Sequence, residues 1–122
     1  MTEIDIDPTK EYIEVQITSQ SLHALGFEIM LYAPDGSTVI EKFTGDTCVN
    51  NPFTQTLKLK PSDSKGTYIS GTFTVSSPDG RDYPYSIVFS ILEDNNLIKP
   101  NITLTGTTSG GQDTSIENYH LN

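Results

Sequence analysis

The run Phe27-Glu28-Ile29-Met30-Leu31-Tyr32-Ala33, followed by Pro34-Asp35-Gly36 and then Thr38-Val39-Ile40-Glu41-Lys42-Phe43-Thr44, is the part of the sequence on which the fold turns. Phe27, Ile29, Leu31 and Ala33 alternate with Glu28, Met30 and Tyr32, the period of a strand with one buried face. Proline fixes φ and glycine accepts a positive φ, so Pro34-Asp35-Gly36 predicts a tight turn and a hairpin over residues 26–44. In the second arm Glu41 shares a face with Val39 and Phe43 while Ile40 opposes them, which makes this register the least regular in the chain.

The same alternation extends outward in both directions. Ile13, Val15 and Ile17 mark a strand over residues 12–18, and Phe53, Leu57 and Leu59 mark one over 53–60. Ile69, Phe73 and Val75 follow over 69–75, then Tyr85, Ile87, Phe89 and Ile91 over 85–91, then Ile98, Ile102 and Leu104 over 98–104. Pro78-Asp79-Gly80 predicts a second hairpin over residues 67–91, and Glu93-Asp94-Asn95-Asn96 a third. Pro100 removes a ladder donor, so its strand is expected at an edge or a bulge. No window carries a helical stripe. One apolar face per strand, repeated along the chain, is what two facing sheets require, so the expected fold class is all-β, an antiparallel β-sandwich of about seven strands. In strand count and spacing this layout resembles immunoglobulin-like and fibronectin-type domains. The Cys…Trp…Cys signature is absent, with one cysteine and no tryptophan, and the resemblance implies an architecture rather than a function.

Composition divides the 122 residues into an acidic segment 1–10, a sandwich domain 11–105 and a tail 106–122. In the tail, Thr107-Thr108-Ser109-Gly110-Gly111-Gln112-Asp113 is flexible-linker chemistry, and Ile116, Tyr119 and Leu121 are too few to build a domain. Glu3, Asp5 and Asp7 fall on one face if that segment is extended, a placement suited to keeping a sheet edge soluble.

Seven Lys+Arg against 16 Asp+Glu give a formal charge of −9. Nucleic-acid binders concentrate cations to release counterions from phosphates, so nucleic acid is not an expected partner, and anionic lipid surfaces are disfavoured by the same sign. No apolar run reaches the roughly 20 residues of a membrane span, so membrane insertion is not expected. The first residues carry neither a basic nor an apolar secretory region, so the chain as written reads as cytoplasmic, and as secreted if a leader has been removed. Cys48 alone cannot form an intrachain disulfide.

Candidate chemistry is sparse. Of the two histidines, His23 sits near Ser19 and Ser21 in the first inter-strand loop without a nucleophile-elbow motif, and His120 lies in the tail. No enzymatic function is expected, a small hydrolase with a triad gathered from loops being the weakest alternative. If strands alternate in direction, one end of the sandwich collects Asp46, Asn50, Asp79 and Asp82, a candidate calcium site, while the opposite end collects Asp35, Asp63, Glu93 and Asp94. Aspartates are also ordinary turn formers, so no cofactor is expected, calcium being the ion these loops would take. Tyr12, Tyr32 and Tyr68 point away from the core and are candidate ligand-binding residues, because tyrosine joins a flat apolar face to a hydroxyl. The expected function is a non-enzymatic binding or assembly module with a protein or glycan partner, a carbohydrate-binding module being the nearest alternative. The sequence does not fix its oligomeric state.

Overall fold

The computed structural model describes residues 1–20, 24–47 and 51–122. The chain is all-β, and among the described residues nine strands form two sheets. In chain order these are β1 (Thr2–Ile4), β2 (Ile13–Ser19), β3 (Ala24–Tyr32), β4 (Val39–Asp46), β5 (Phe53–Thr56), β6 (Tyr68–Ser76), β7 (Pro84–Glu93), β8 (Asn96–Thr107) and β9 (Gln112–Leu121). One sheet has the order β1-β9-β6-β3-β4 and the other β5-β2-β7-β8. Among the described residues no helix is long and apolar enough to cross a membrane.

All seven expected strands are present, the one expected over residues 53–60 ending early at Thr56, and two more precede and follow them. Strand β9 pairs along its whole length with β6, from Tyr68↔His120 to Ser76↔Gln112. Residues 106–122 are therefore not a tail. Gly110 and Gly111 adopt φ of 64° and 80°, and Ser109 and Gln112 exchange backbone hydrogen bonds across them. Two consecutive glycines suit a flexible linker and a two-residue hairpin turn equally, because both need a backbone unhindered at positive φ. At the other terminus β1 runs parallel to β9, burying Ile4, while Ile6 packs beyond it. The acidic segment 1–10 is thus part of the fold, with Glu3 left in solvent on an edge strand and Asp5 exposed just after it.

Three turns meet or correct their expectations. The hairpin β3–β4 forms, with Asp35 accepting the N–H groups of Ser37 and Thr38 at 2.9 and 2.8 Å and Gly36 at φ 76°. Asp94-Asn95 joins β7 to β8 with both residues at positive φ, the conformation of a two-residue hairpin. The expected hairpin over residues 67–91 does not form, because β6 belongs to one sheet and β7 to the other. Proline, aspartate and glycine set the turn itself, while the partner of each outgoing strand is chosen by what its apolar face can reach. In β4 the register shifts against β3 between Leu31 and Tyr32, which leaves Val39 and Ile40 exposed and packs Phe43 against the core. Pro100 lies on an edge strand where the β7–β8 register also shifts, as expected of a proline.

Side chains of both sheets meet in one core. The ring of Phe89 in β7 meets Phe73 of β6 edge-on at 5.2 Å and Tyr119 of β9 at 5.0 Å. Gly71 leaves room for this column, since a Cβ there would stand 2.7 Å from Phe73 and 3.1 Å from Phe89. The buried Tyr119 hydroxyl donates to the carbonyl of Phe89 at 2.5 Å and accepts the N–H of Ile102 at 3.0 Å, and burial pushes the phenol up to about 12.

Removing β9 would therefore remove an interior strand. A chain truncated after Thr105 is expected to lose its cooperative thermal transition, read by circular dichroism, because Tyr119 and Leu121 leave the core and β6 loses a partner. A second test concerns Glu93, which is buried, with Oε1 accepting the Asp7 N–H at 3.0 Å and Oε2 without a partner. Burial, and then the neighbouring Asp7 and Asp94 charges, raise its pKa above 4.5. A raised carboxyl binds its proton more readily when folded, so its destabilising charge is relieved as pH falls through that pKa. Glu93→Gln is expected to raise the melting temperature at pH 7.5, with the gain shrinking as the pH approaches 4.5.

Candidate functional site

The residues that gather into a surface feature lie on the outward face of the five-stranded sheet. Because side chains alternate across a strand, pairing register decides which outward residues become neighbours. Glu3 of β1 faces His120 of β9, His120 faces Tyr68 of β6, and Tyr68 faces Tyr32 of β3. Four adjacent strands thus place Glu3, His120, Tyr68 and Tyr32 in one row. His120 Nδ1–H donates to the Glu3 carboxylate, 2.8 Å from Oε2. The His120 and Tyr68 rings stack at 4.5 Å with 19° between their planes. Hydrogen bonds from Asn122 and then His120 hold the Glu3 carboxyl below its ordinary range.

Beside this row lies an open recess of about 450 Å³, lined by Met1, Tyr32, Gly36, Tyr68 and Asn118. The Tyr32 hydroxyl donates to Met30 Sδ at 3.3 Å, which ties its ring along its own strand, β3. Gly36 enters from the β3–β4 turn, whose shape depends on Asp35. Thr38 and Ser37 donors hold the Asp35 carboxyl down at about 2. The next outward positions are Asn118, Ser70, Met30 and Lys42, followed by Ile116, Thr72, Glu28 and Thr44. Lys42 pairs with Glu28 at 3.7 Å, so charge on this face is locally balanced although the chain is strongly acidic.

The structure brings together two of the three tyrosines chosen from sequence. Tyr12 stands apart, preceding β2 beside the β7–β8 turn. Its N–H donates to Asp94 Oδ1 at 3.1 Å and its carbonyl accepts the Asp94 N–H at 3.2 Å. Burial, then the Glu14, Asp94 and Glu11 charges, raise its phenol. Sequence reasoning missed His120 and Glu3 because both lie on strands it did not assign.

The acids chosen as calcium ligands reach the expected end of the sheets but are engaged locally. Asp79 accepts the Arg81 N–H at 3.0 Å and the Tyr83 hydroxyl at 2.8 Å. Asp82 Oδ1 accepts the Gly111 N–H at 2.9 Å, tying this loop to the β8–β9 turn. Asp46 ends β4 opposite Gly26, and Asn50, like His23 and Cys48, lies outside the described residues. Among the described residues no three His, Cys, Asp or Glu side chains are placed to hold a metal ion together.

Comparison with protein-family models, with curated proteins and with solved structures finds no significant match.

A lowered carboxyl pKa contributes stability that is present above the unfolded value and lost as pH falls through the folded one. The advantage of wild type over Asp35→Ala is therefore expected to fade between about pH 4 and about pH 2, followed by chemical denaturation across that window.

Proposed function

We propose that the chain is a non-enzymatic binding or assembly module, built as an immunoglobulin-like β-sandwich in which every strand pair but β1–β9 is antiparallel, whose Tyr32–Tyr68 face contacts its partner. The observation that carries this reading is the row Tyr32, Tyr68 and His120, set by strand register at the rim of an open recess. Aromatic rings fixed on adjacent strands present contact area at little conformational cost, since the sheet has already ordered them.

Neighbouring chemistry favours a neutral polar ligand, a glycan, at this face. Ser70, Thr72 and Asn118 supply hydroxyl and amide groups that donate and accept, matching sugar hydroxyls, while ring faces suit the apolar faces of a pyranose. The Glu28–Lys42 pair offsets charge that would otherwise select a cation, and the Glu3 carboxylate is already engaged by His120. The reading needs no cofactor, because Asp79 and Asp82 already accept hydrogen bonds from backbone and Tyr83 donors. A hydrolase reading would rest on His23, which lies outside the described residues.

An array of neutral oligosaccharides, followed by titration of the best binder, tests the proposal. Tyr68→Ala is expected to weaken binding by about tenfold or more, equivalent to about 1.4 kcal/mol, while melting within about 2 °C of wild type. Wild-type protein that binds no neutral glycan would shift the partner class from glycan to protein.

A further inference from the structure

A sheet edge presents unpaired N–H and C=O groups, and folded chains normally blunt each one. Four strands here lie at an edge: β1, β4, β5 and β8. Strand β1 has 3 residues and β5 has 4, too short to template a partner. Strand β8 is long but carries Lys99 and Pro100 where its register shifts. Strand β4 is different. It has 8 residues and no proline, and it pairs with β3 alone. Its one irregularity lies before Glu41, and from Glu41 to Asp46 the register runs unbroken. Among the described residues, no backbone–backbone hydrogen bond joins residues 39–45 to anything beyond β3, although the Glu41 side chain accepts the Lys58 N–H at 2.9 Å. Its single lysine, Lys42, is turned to Glu28 on the outward face.

This edge also exposes apolar side chains, at its irregular end. Val39 and Ile40 are 44% and 46% exposed, and both are β-branched, the type that favours strand pairing. We propose that β4 is a strand-addition site, which an extended, cationic segment of a partner protein joins as a further strand of the five-stranded sheet. Main-chain hydrogen bonds to β4 would supply affinity, and alternate side chains of the segment would supply specificity. The choice of occupant follows from charge. A second copy would bring another −9, whereas a Lys- or Arg-bearing segment is drawn toward an acidic chain whose β4 carries Glu41 and Asp46 against Lys42. The site adjoins the aromatic row at Val39, the register partner of Tyr32, and substitutions at Ile40 and Tyr68 test the two separately.

The probe is a ten-residue peptide of alternating lysine and valine, with a glutamate-for-lysine control. Binding is read by fluorescence anisotropy, and the location by amide hydrogen exchange. The expected result is slowed exchange at alternate amides of residues 39–45, binding that weakens with salt, and no binding of the glutamate control. Ile40→Lys, which installs an edge guard at an exposed position, should weaken binding at least tenfold without lowering the melting temperature. Tyr68→Ala should leave it unchanged. Protection elsewhere, equal binding of the glutamate control, or full binding by Ile40→Lys would overturn the proposal. So would β4-dependent dimerisation of the free chain in sedimentation, which would make a second copy the occupant.

Discussion

The buried hydroxyl of Tyr119 is the point on which the two sheets depend. It belongs to β9 in one sheet, yet both of its hydrogen bonds go to the other, to the Phe89 carbonyl and the Ile102 N–H. These two residues face each other across β7 and β8, next to the register shift around Pro100. A ladder disturbed by a shift leaves backbone groups to be satisfied elsewhere, and buried ones left unpaired cost about 1–3 kcal/mol each. The phenol meets that need with one atom, and its ring completes the column formed by Phe73 and Phe89. The irregular edge of one sheet is thus matched to the terminal strand of the other.

That coupling makes the two chain ends interdependent. Strand β9 is held between β6 and β1, and β1 exists only because β9 is there to pair with it. Beyond β1, the Ile6 N–H donates to the Asn122 carbonyl and the Asp7 N–H to Glu93. Glu93 carries a stability cost at neutral pH, but its Oε1 satisfies a backbone donor that would otherwise go unpaired as the segment enters the fold. The polar side chains at this end therefore work through backbone groups, as the turn aspartates do at Asp35 and Asp79.

The aromatic row depends on the same arrangement. Glu3 and His120 are 117 positions apart in sequence and become neighbours only through the parallel β1–β9 pair. Their contact orders one side of Tyr68, and the β3–β4 turn, shaped by Asp35, sets the other rim of the recess through Gly36. The surface is built from four separate parts of the chain, held in place by the pairing of their strands.

The sequence by itself determined the seven strands β2 to β8, the Pro34-Asp35-Gly36 hairpin and the outward direction of Tyr32 and Tyr68. Each follows from a local rule: period-two alternation, fixed φ at proline, and positive φ at glycine. Strand β9 escaped those rules because its inward positions Asp113, Ser115 and Glu117 are polar, leaving only Tyr119 and Leu121 as an apolar signal. The first two have partners that no local pattern announces, the Tyr85 hydroxyl contacting both Asp113 and Ser115. Only the tertiary structure decided which sheet each strand joins, why Pro78-Asp79-Gly80 crosses between sheets instead of closing a hairpin, and that Glu3 and His120 stand beside Tyr68. Those outcomes depend on pairing between residues far apart in the chain. Turn chemistry bends a chain, but it does not choose what the chain meets next.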